Sequence, residues 1–145
     1  MKLRSDCFKE SALIPSEYTC DGADKSPHLE WEDVPENTKS FALIVDDPDA
    51  PVGTWVHWLV CDITPDARKV VKGQIPDGGK QVKNDFGKLD YGGPCPPSGT
   101  HRYFFKLYAL DVPKLSNVSE SNFYELVDKH KIEEAVLIGK YKRNR

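Results

Sequence analysis

The sequence contains no apolar run approaching the roughly 18–20 residues that span a bilayer, so stable membrane insertion is not expected. Its charge is nearly balanced, with 20 basic and 23 acidic side chains, which argues against nucleic-acid binding. Met1–Asp6 is charged and no apolar stretch follows it, so we expect no secretory signal and predict a cytoplasmic protein. A length of 145 residues then indicates a single globular domain over residues 1–145.

Cysteine is scarce and proline is abundant. The four cysteines form no Cys-x-x-Cys pair, which argues against a redox-active dithiol. The 11 prolines make up about 8% of the chain against a usual ~5%. Five of the 11 fall in Asp46–Pro51 and Gly93–Pro97, and each segment is followed by a strand-like run that opens near a histidine. We therefore place the prolines in loops of a folded domain.

Apolar, β-branched and aromatic runs predict a mainly β fold. Four strands are predicted, at Phe41–Val45, Trp55–Ile63, Arg102–Leu110 and Ala135–Tyr141. The second and third runs are apolar on both alternating faces, which indicates interior strands that are covered on both sides.

One helix is predicted late in the chain. Apolar residues follow the i, i+3, i+4, i+7 pattern from Phe123 to His130, and Asn122 with Glu125 three residues on is typical of a helix start with a capping box. Residues 64–101 carry little periodicity, and so long an irregular stretch is expected to be functional or to contain short strands.

The two proline-rich loops are expected to wall a pocket. Asp47 lies just past one predicted strand, and His57 and His101 lie at the starts of two others. If these strands share a sheet, both imidazoles and the carboxylate face a common mouth. A nearby carboxylate favours protonated imidazole, so both histidines are predicted to be cationic near neutral pH.

A small oxyanion such as a phosphate group fits these residue types. Besides the imidazoles, the amides of Gly93 and Cys95 and the hydroxyl of Tyr103 are candidate donors. An acidic turn and two core histidines remain the simpler alternative, because Asp and Pro favour turns for local reasons.

The chain resembles the phosphatidylethanolamine-binding protein family, which includes the Raf kinase inhibitor proteins and short bacterial and archaeal relatives. The resemblance rests on seven motifs that follow one another in the order typical of the family. The resemblance covers nearly the whole chain. The motifs are residues 18–22 (YTCDG), 26–31 (SPHLEW), 47–51 (DPDAP), 55–60 (WVHWLV), 84–87 (NDFG), 91–103 (YGGPCPPSGTHRY) and 139–143 (GKYKR).

The resemblance implies a large central, antiparallel-rich sheet with a smaller sheet on one face and one or two short helices. It also implies a small anion-binding pocket at one end. Carried over residue by residue, the ligand-binding set is Asp47, His57, Gly93, Pro97, His101 and Tyr103, with Asp49, Pro51 and Cys95 shaping the pocket.

Two departures from the animal members affect the expected pocket mouth. The segment before His101 is shorter, and the sequence stops about where their C-terminal helix, which helps cover the pocket, would begin. We expect a more open mouth or one covered by a second subunit in a homodimer. A phospholipid preference is therefore in doubt.

Cys20 and Cys95 both lie in motifs shared with the family, and we hypothesise that they are close enough to form a disulfide. In a reducing cytosol they could stay reduced. Ala50–Pro51 is predicted to be a cis peptide bond, because cis bonds are mainly a proline feature of tight turns.

The sequence thus predicts a non-catalytic protein that binds a small phosphate-bearing or carboxylate ligand and possesses no cofactor. One alternative is inhibition of a kinase or serine protease through surface loops. Another is a hydrolase using His57 or His101 as general base, which lacks a convincing nucleophile. A zinc site at Asp47, His57 and His101 matches no standard spacing, so no metal site is predicted.

Overall fold

The fold is built from two antiparallel sheets and one α-helix. The computed structural model describes residues 1–143. The elements are β1 (Lys2–Arg4), β2 (Leu29–Glu32), β3 (Ser40–Asp47), β4 (Trp55–Ile63), β5 (Lys69–Val70), β6 (Lys80–Val82), β7 (His101–Leu110), α1 (Phe123–His130) and β8 (Lys131–Tyr141), with a 3₁₀ turn at Ser16–Tyr18.

The larger sheet has the strand order β6-β4-β3-β7-β8, and the smaller sheet has the order β1-β2-β5. All pairings within these sheets are antiparallel. The predicted mainly β fold with a large and a small sheet is confirmed. Strands β4 and β7 are interior strands, as expected, but they are not neighbours, because β3 lies between them.

Strand β3 forms the middle of a three-layer core. Its side chains alternate between the two sheet faces, so Phe41, Leu43 and Val45 join the cluster that also contains Leu29 and Trp31 of the smaller sheet. Ala42 and Ile44 point the other way, into the cluster formed with α1. Every residue of β3 is buried, which is the reason for its nearly continuous apolar sequence.

The predicted strands and helix are confirmed with small changes in their bounds. Strand β4 and α1 have the bounds expected, β3 and β7 are slightly longer, and β8 begins four residues earlier, at Lys131. Residues 64–101 contain two short strands, β5 and β6, as the sequence allowed, although their positions were not predicted. Strands β1 and β2 were missed, because three or four residues are too few to show an alternating pattern. None of the helices in residues 1–143 is long and apolar enough to cross a membrane.

The capping box predicted for α1 is wrong, although the helix begins directly after Asn122. The Asn122 side chain points back along the chain, where Oδ1 accepts the Ser119 amide proton and Nδ2 donates to the Asn117 carbonyl. Its backbone has φ −120° and ψ 3°, not the extended conformation that lets a cap side chain reach the first helical amides.

The cis peptide predicted at Ala50–Pro51 is also wrong, since residues 1–143 contain no cis bond. The Gly53 amide donates to the Ala50 carbonyl at 3.1 Å, so Pro51 occupies the second position of a turn. A trans proline suits that position, because its fixed φ matches the turn, whereas a cis proline belongs at the third position.

Packing of Phe123 should fix α1 on the sheet. This side chain is completely buried, and Phe123→Ala is expected to lower the free energy of unfolding by about 3–5 kcal/mol through lost burial and a residual cavity. Urea denaturation measures the change. Lys129→Ala, at an exposed position of the same helix, should cost no more than about 0.5 kcal/mol. Similar losses in both variants would contradict the assignment.

Candidate functional site

The candidate site lies at one end of the larger sheet. Strand β3 ends there with Asp47, and its antiparallel neighbours β4 and β7 begin there, so Asp47 lies between the strands that carry His57 and His101. The loops that follow β3 and precede β7 close the sides. A pocket of about 280 Å³ is formed, lined by Asp47, Ala50, Pro51, Val52, Trp55, His57, Phe86, Cys95, Pro96, Pro97, His101 and Tyr103.

The His101 imidazole is held by a buried carboxylate. Its Nδ1 lies 2.7 Å from Asp47 Oδ2, and the other carboxylate oxygen accepts the Asp49 amide proton at 2.7 Å. Because an ionised carboxylate can only accept, Nδ1 of His101 carries the proton. The ring therefore has Nε2 left for a ligand, with Asp47 as the counter-ion when both nitrogens are protonated.

His57 is in a different environment. Its Nδ1 lies 2.6 Å from the Gly92 carbonyl oxygen, so that nitrogen also carries a proton. The His57 ring is buried between the aromatic rings of Phe86 and Tyr103, with ring-centroid distances of 5.2 and 5.3 Å. Burial lowers the pKa of His57, since the charged form loses its hydration. The prediction of two cationic histidines is therefore wrong for His57, which is neutral at pH 7.

Tyr103 provides a hydroxyl without a partner. The residue is 1% exposed, and its buried Oη lies near the Asp47 carboxylate and the Cys95 backbone without a hydrogen bond of good geometry to any of residues 1–143. Burial, and then the negative charge of Asp47, raise the pKa of Tyr103. The hydroxyl keeps its proton at physiological pH and can donate it to a bound group. An unpaired buried hydroxyl costs about 1–3 kcal/mol, which a ligand oxygen would offset.

The loop after β3 is tied to β7 by an ion pair. Asp49 accepts hydrogen bonds from Arg102 Nε and Nη2 at 2.9 and 2.8 Å, and from the Arg102 amide at 3.0 Å. The guanidinium lowers the pKa of Asp49 to about 2. Asp49 does not line the pocket, but it positions the loop that does, and Pro51 in that loop is part of the lining.

Asn84 holds the opposite wall and was not predicted as a site residue. Its Nδ2 donates to the His57 carbonyl at 2.9 Å, and its Oδ1 accepts the amide protons of Phe86 and Lys88. These bonds place the Phe86 ring against His57 and against Trp55. The signal in the sequence was the position of Asn84 in the family motif at residues 84–87 (NDFG), since Asn and Asp commonly bond nearby backbone in turns.

The remaining lining is apolar. Ala50, Val52, Phe86 and Pro96 were not predicted, since isolated apolar residues in loops carry no periodic pattern. Trp55 was not predicted either, because it is the first residue of β4 and an aromatic residue in a strand is usually part of the core. Val52 is 83% exposed and Phe86 is 40% exposed, so an apolar rim surrounds the buried polar atoms.

Gly93 is the one predicted ligand residue that does not line the pocket. Its amide donates to Asp24 Oδ1 at 2.8 Å and is therefore not free for an anion. A Cβ at this position would collide with the Tyr18 carbonyl and with Thr19, so Gly93 serves close packing of two backbone segments. The other five, Asp47, His57, Pro97, His101 and Tyr103, are together in the lining.

The structure pairs Cys20 with Cys95 in a disulfide, with a Cα–Cα distance of 5.4 Å. Cys95 lines the pocket, and the adjacent Pro94 carbonyl accepts the Cys20 amide proton. The bond therefore anchors the second proline-rich loop to the segment around Cys20.

The only cluster with metal-ligand geometry among residues 1–143 lies elsewhere, at Asp6, His28 and Glu30. Arg4 already donates to both carboxylates, at 2.7 and 2.6 Å. A guanidinium neutralises this cluster, which argues against a cation site.

Removing the disulfide should destabilise the fold. It closes a loop between residues 75 apart in sequence, and the Cys20→Ala/Cys95→Ala variant is expected to lose about 2–5 kcal/mol of unfolding free energy. Thermal denaturation checks this, with Cys7→Ser as the control, because serine keeps a polar partner for the Tyr18 hydroxyl that the free Cys7 thiol contacts at 3.0 Å. Peptide mapping without reduction should recover the cross-linked pair. Alkylation of both thiols in oxidised protein would contradict the pairing.

Known proteins match nearly the whole chain in sequence. The family model described as phosphatidylethanolamine-binding protein matches residues 4–142. A UPF0098 protein of Methanothermobacter thermautotrophicus is 47% identical, covering 99% of each chain. Another UPF0098 protein, from Aquifex aeolicus, is 48% identical over 99% of this chain and 90% of its own.

Two solved structures agree with this assignment. A Chlamydia trachomatis homologue of phosphatidylethanolamine-binding protein has a TM-score of 0.91 at 38% identity, covering 99% of this chain and 97% of its own. YbcL of E. coli, described as a member of the mammalian family, has a TM-score of 0.92 at 34% identity, covering 99% and 98%. Fold, motifs and matched length agree, and the chain belongs to the phosphatidylethanolamine-binding protein family.

Proposed function

We propose that this protein binds, without catalysis, a small molecule that carries a phosphate-type oxyanion, and that the anion occupies the pocket at the end of β3. The observation that carries the proposal is the hydroxyl of Tyr103, which is buried, unpartnered and part of the pocket lining. Buried polar atoms are normally paired, so an orphaned donor in a pocket points to a missing ligand atom.

His101 supports the same assignment. Asp47 holds the Nδ1 proton, so a protonated ring presents Nε2–H as a charge-assisted donor to an anion. Tyr103 lies beside it with the two rings nearly parallel, at a centroid distance of 6.4 Å. An oxyanion that accepts hydrogen bonds from both residues would give the Tyr103 hydroxyl a partner. It would also place a second negative charge, besides Asp47, next to the protonated His101 ring.

The rim indicates what the anion is attached to. Pro51, Val52, Trp55, Phe86 and Pro97 surround the polar atoms with apolar surface. Pro51 and Pro97 restrict the backbone of the loops in which they lie. We expect a ligand whose anionic head is followed by an apolar portion at the mouth.

A hydrolase is less well supported. Among residues 1–143, none that lines the pocket is a serine or threonine, and the one lining cysteine, Cys95, is bonded to Cys20. A hydrolase would then have to use a general base alone to activate water.

Inhibition of a kinase or protease through surface loops would leave the buried donors of the pocket without a role. Homodimerisation and a cytoplasmic location stay predictions.

Phosphate should protect the wild-type protein against heat. At a phosphate concentration about 100 times the Kd, the expected gain is about 2.7 kcal/mol, or a rise in Tm of roughly 5–10 °C. His101→Ala should abolish the rise, because it removes the charge-assisted donor. His130→Ala, a histidine on α1 that bonds Asp111 outside the pocket, should keep it. Sodium chloride at equal ionic strength is the blank. Equal protection of wild type and His101→Ala would overturn the pocket assignment.

Absence of hydrolysis is expected in a separate measurement. Wild type and His57→Ala should show the same background rate on aryl phosphate and aryl ester substrates. Turnover by the wild type that the variant lacks would replace the binding proposal with a hydrolytic one.

A further inference from the structure

The polar atoms of the pocket are not equivalent. Tyr103 Oη and a protonated His101 Nε2 are hydrogen-bond donors. In neutral His57 the proton is on Nδ1, so its Nε2 is an acceptor. We propose, on the basis of the proposed function, that His57 is a specificity-determining residue whose Nε2 accepts a hydrogen bond from the ligand. The pocket would then select protonated oxyanions, namely phosphate monoesters, over sulfate esters.

The tautomer of His57 follows from geometry. The Gly92 carbonyl oxygen 2.6 Å from Nδ1 can only accept, so the proton is on Nδ1. The Gly92 amide and the Asn84 side chain both donate to the His57 carbonyl, which fixes the backbone behind the ring. The ring cannot turn over without losing the bond to Gly92. In a neutral ring, Nε2 is then a lone pair.

The surroundings keep the ring neutral. His57 is 3% exposed and is packed against Phe86 and Tyr103. The loss of hydration lowers the pKa of His57 and outweighs three carboxylates, those of Asp47, Asp46 and Asp24, that favour a charge on the ring. Asp47 accepts a hydrogen bond from His101 Nδ1 on one oxygen and from the Asp49 amide on the other. Asp46 accepts from Lys106 and Tyr124, and Asp24 accepts from the Gly93 amide. Each carboxylate therefore has its own partner, and His57 bonds the Gly92 carbonyl instead. A second proton on this ring would be a buried charge without a hydrogen-bonded partner.

The chemistry of the ligand follows from this acceptor. A phosphate monoester has its second pKa near 6, so near that pH a large fraction of it retains a P–O–H. This group can donate to Nε2 while the other oxygens accept from His101 and Tyr103. A sulfate ester carries no proton near neutral pH and presents only acceptors. Its oxygen would face the Nε2 lone pair with no bond formed, an arrangement that weakens binding by roughly tenfold or more.

The discriminating experiment uses methyl phosphate and methyl sulfate at about pH 6, where a large fraction of the phosphate ester is a monoanion. These two anions then match in charge and shape and differ by one proton. Calorimetric titration of the wild-type protein should give at least about tenfold tighter binding of methyl phosphate.

Two variants separate the acceptor from the donors. His57→Asn keeps an N–H for the Gly92 carbonyl and removes Nε2, so the preference should fall to within about threefold of unity. Tyr103→Phe removes a donor that both anions use, so both affinities should fall while the preference stays. Circular dichroism and thermal melts verify that each variant is folded.

The outcomes distinguish the two proposals. If neither anion binds the wild type, the proposed function fails. Should both bind with equal affinity, the anion pocket stands and the role of His57 is overturned. A preference that persists in folded His57→Asn also overturns it. The ¹⁵N chemical shifts of the free wild-type protein give an independent readout, because an unprotonated Nε2 has a distinct shift. A protonated Nε2 on His57 at pH 6 would contradict the mechanism.

Discussion

The hydrogen bond between the Asp47 carboxylate and His101 Nδ1 is the interaction on which the site depends. Both side chains are almost fully buried, 3% and 7% exposed, and the bond joins the end of β3 to the start of β7. The second carboxylate oxygen accepts the Asp49 amide and turns the chain into the first proline-rich loop. Removing either partner would leave a buried polar group unpaired, so this corner of the sheet constrains both the loop and the orientation of the imidazole.

Different interactions hold the walls of the pocket in place. An ion pair between Asp49 and Arg102 holds one loop to β7, and the Asn84 side chain holds the other against β4. The disulfide ties Cys95 to the segment around Cys20. Proline limits the conformations of both loops, so little entropy is lost when a ligand orders them. The pocket is therefore formed before a ligand arrives.

Residue type alone did not assign roles to the two histidines. Both histidines lie near the start of a strand, and in both the Nδ1 atom is hydrogen-bonded to an oxygen. They differ in the kind of oxygen, which is a carboxylate for His101 and a backbone carbonyl for His57. A carboxylate beside His101 can balance a positive ring, whereas the Gly92 carbonyl beside His57 cannot. Likewise Asp46 and Asp47 are adjacent in sequence but face opposite sides of the sheet, so that Asp46 bonds Lys106 and Tyr124 on the helix side.

The amino-acid sequence by itself determined the long strands, the helix and the motifs of the family, because periodic burial and proline-bounded segments are local patterns that a chain displays in one dimension. Through the family motifs it also pointed to seven of the twelve residues that line the pocket, including Pro51 and Cys95. The short strands β1, β2, β5 and β6 depend on partners far along the chain, and so could not be predicted locally. Tertiary structure alone decided that Gly93 packs against Tyr18, that Asn84 supports His57, and which histidine has a carboxylate beside it. Hydrogen-bond partners distant in sequence decide tautomer and charge, and only the folded chain brings those partners within reach.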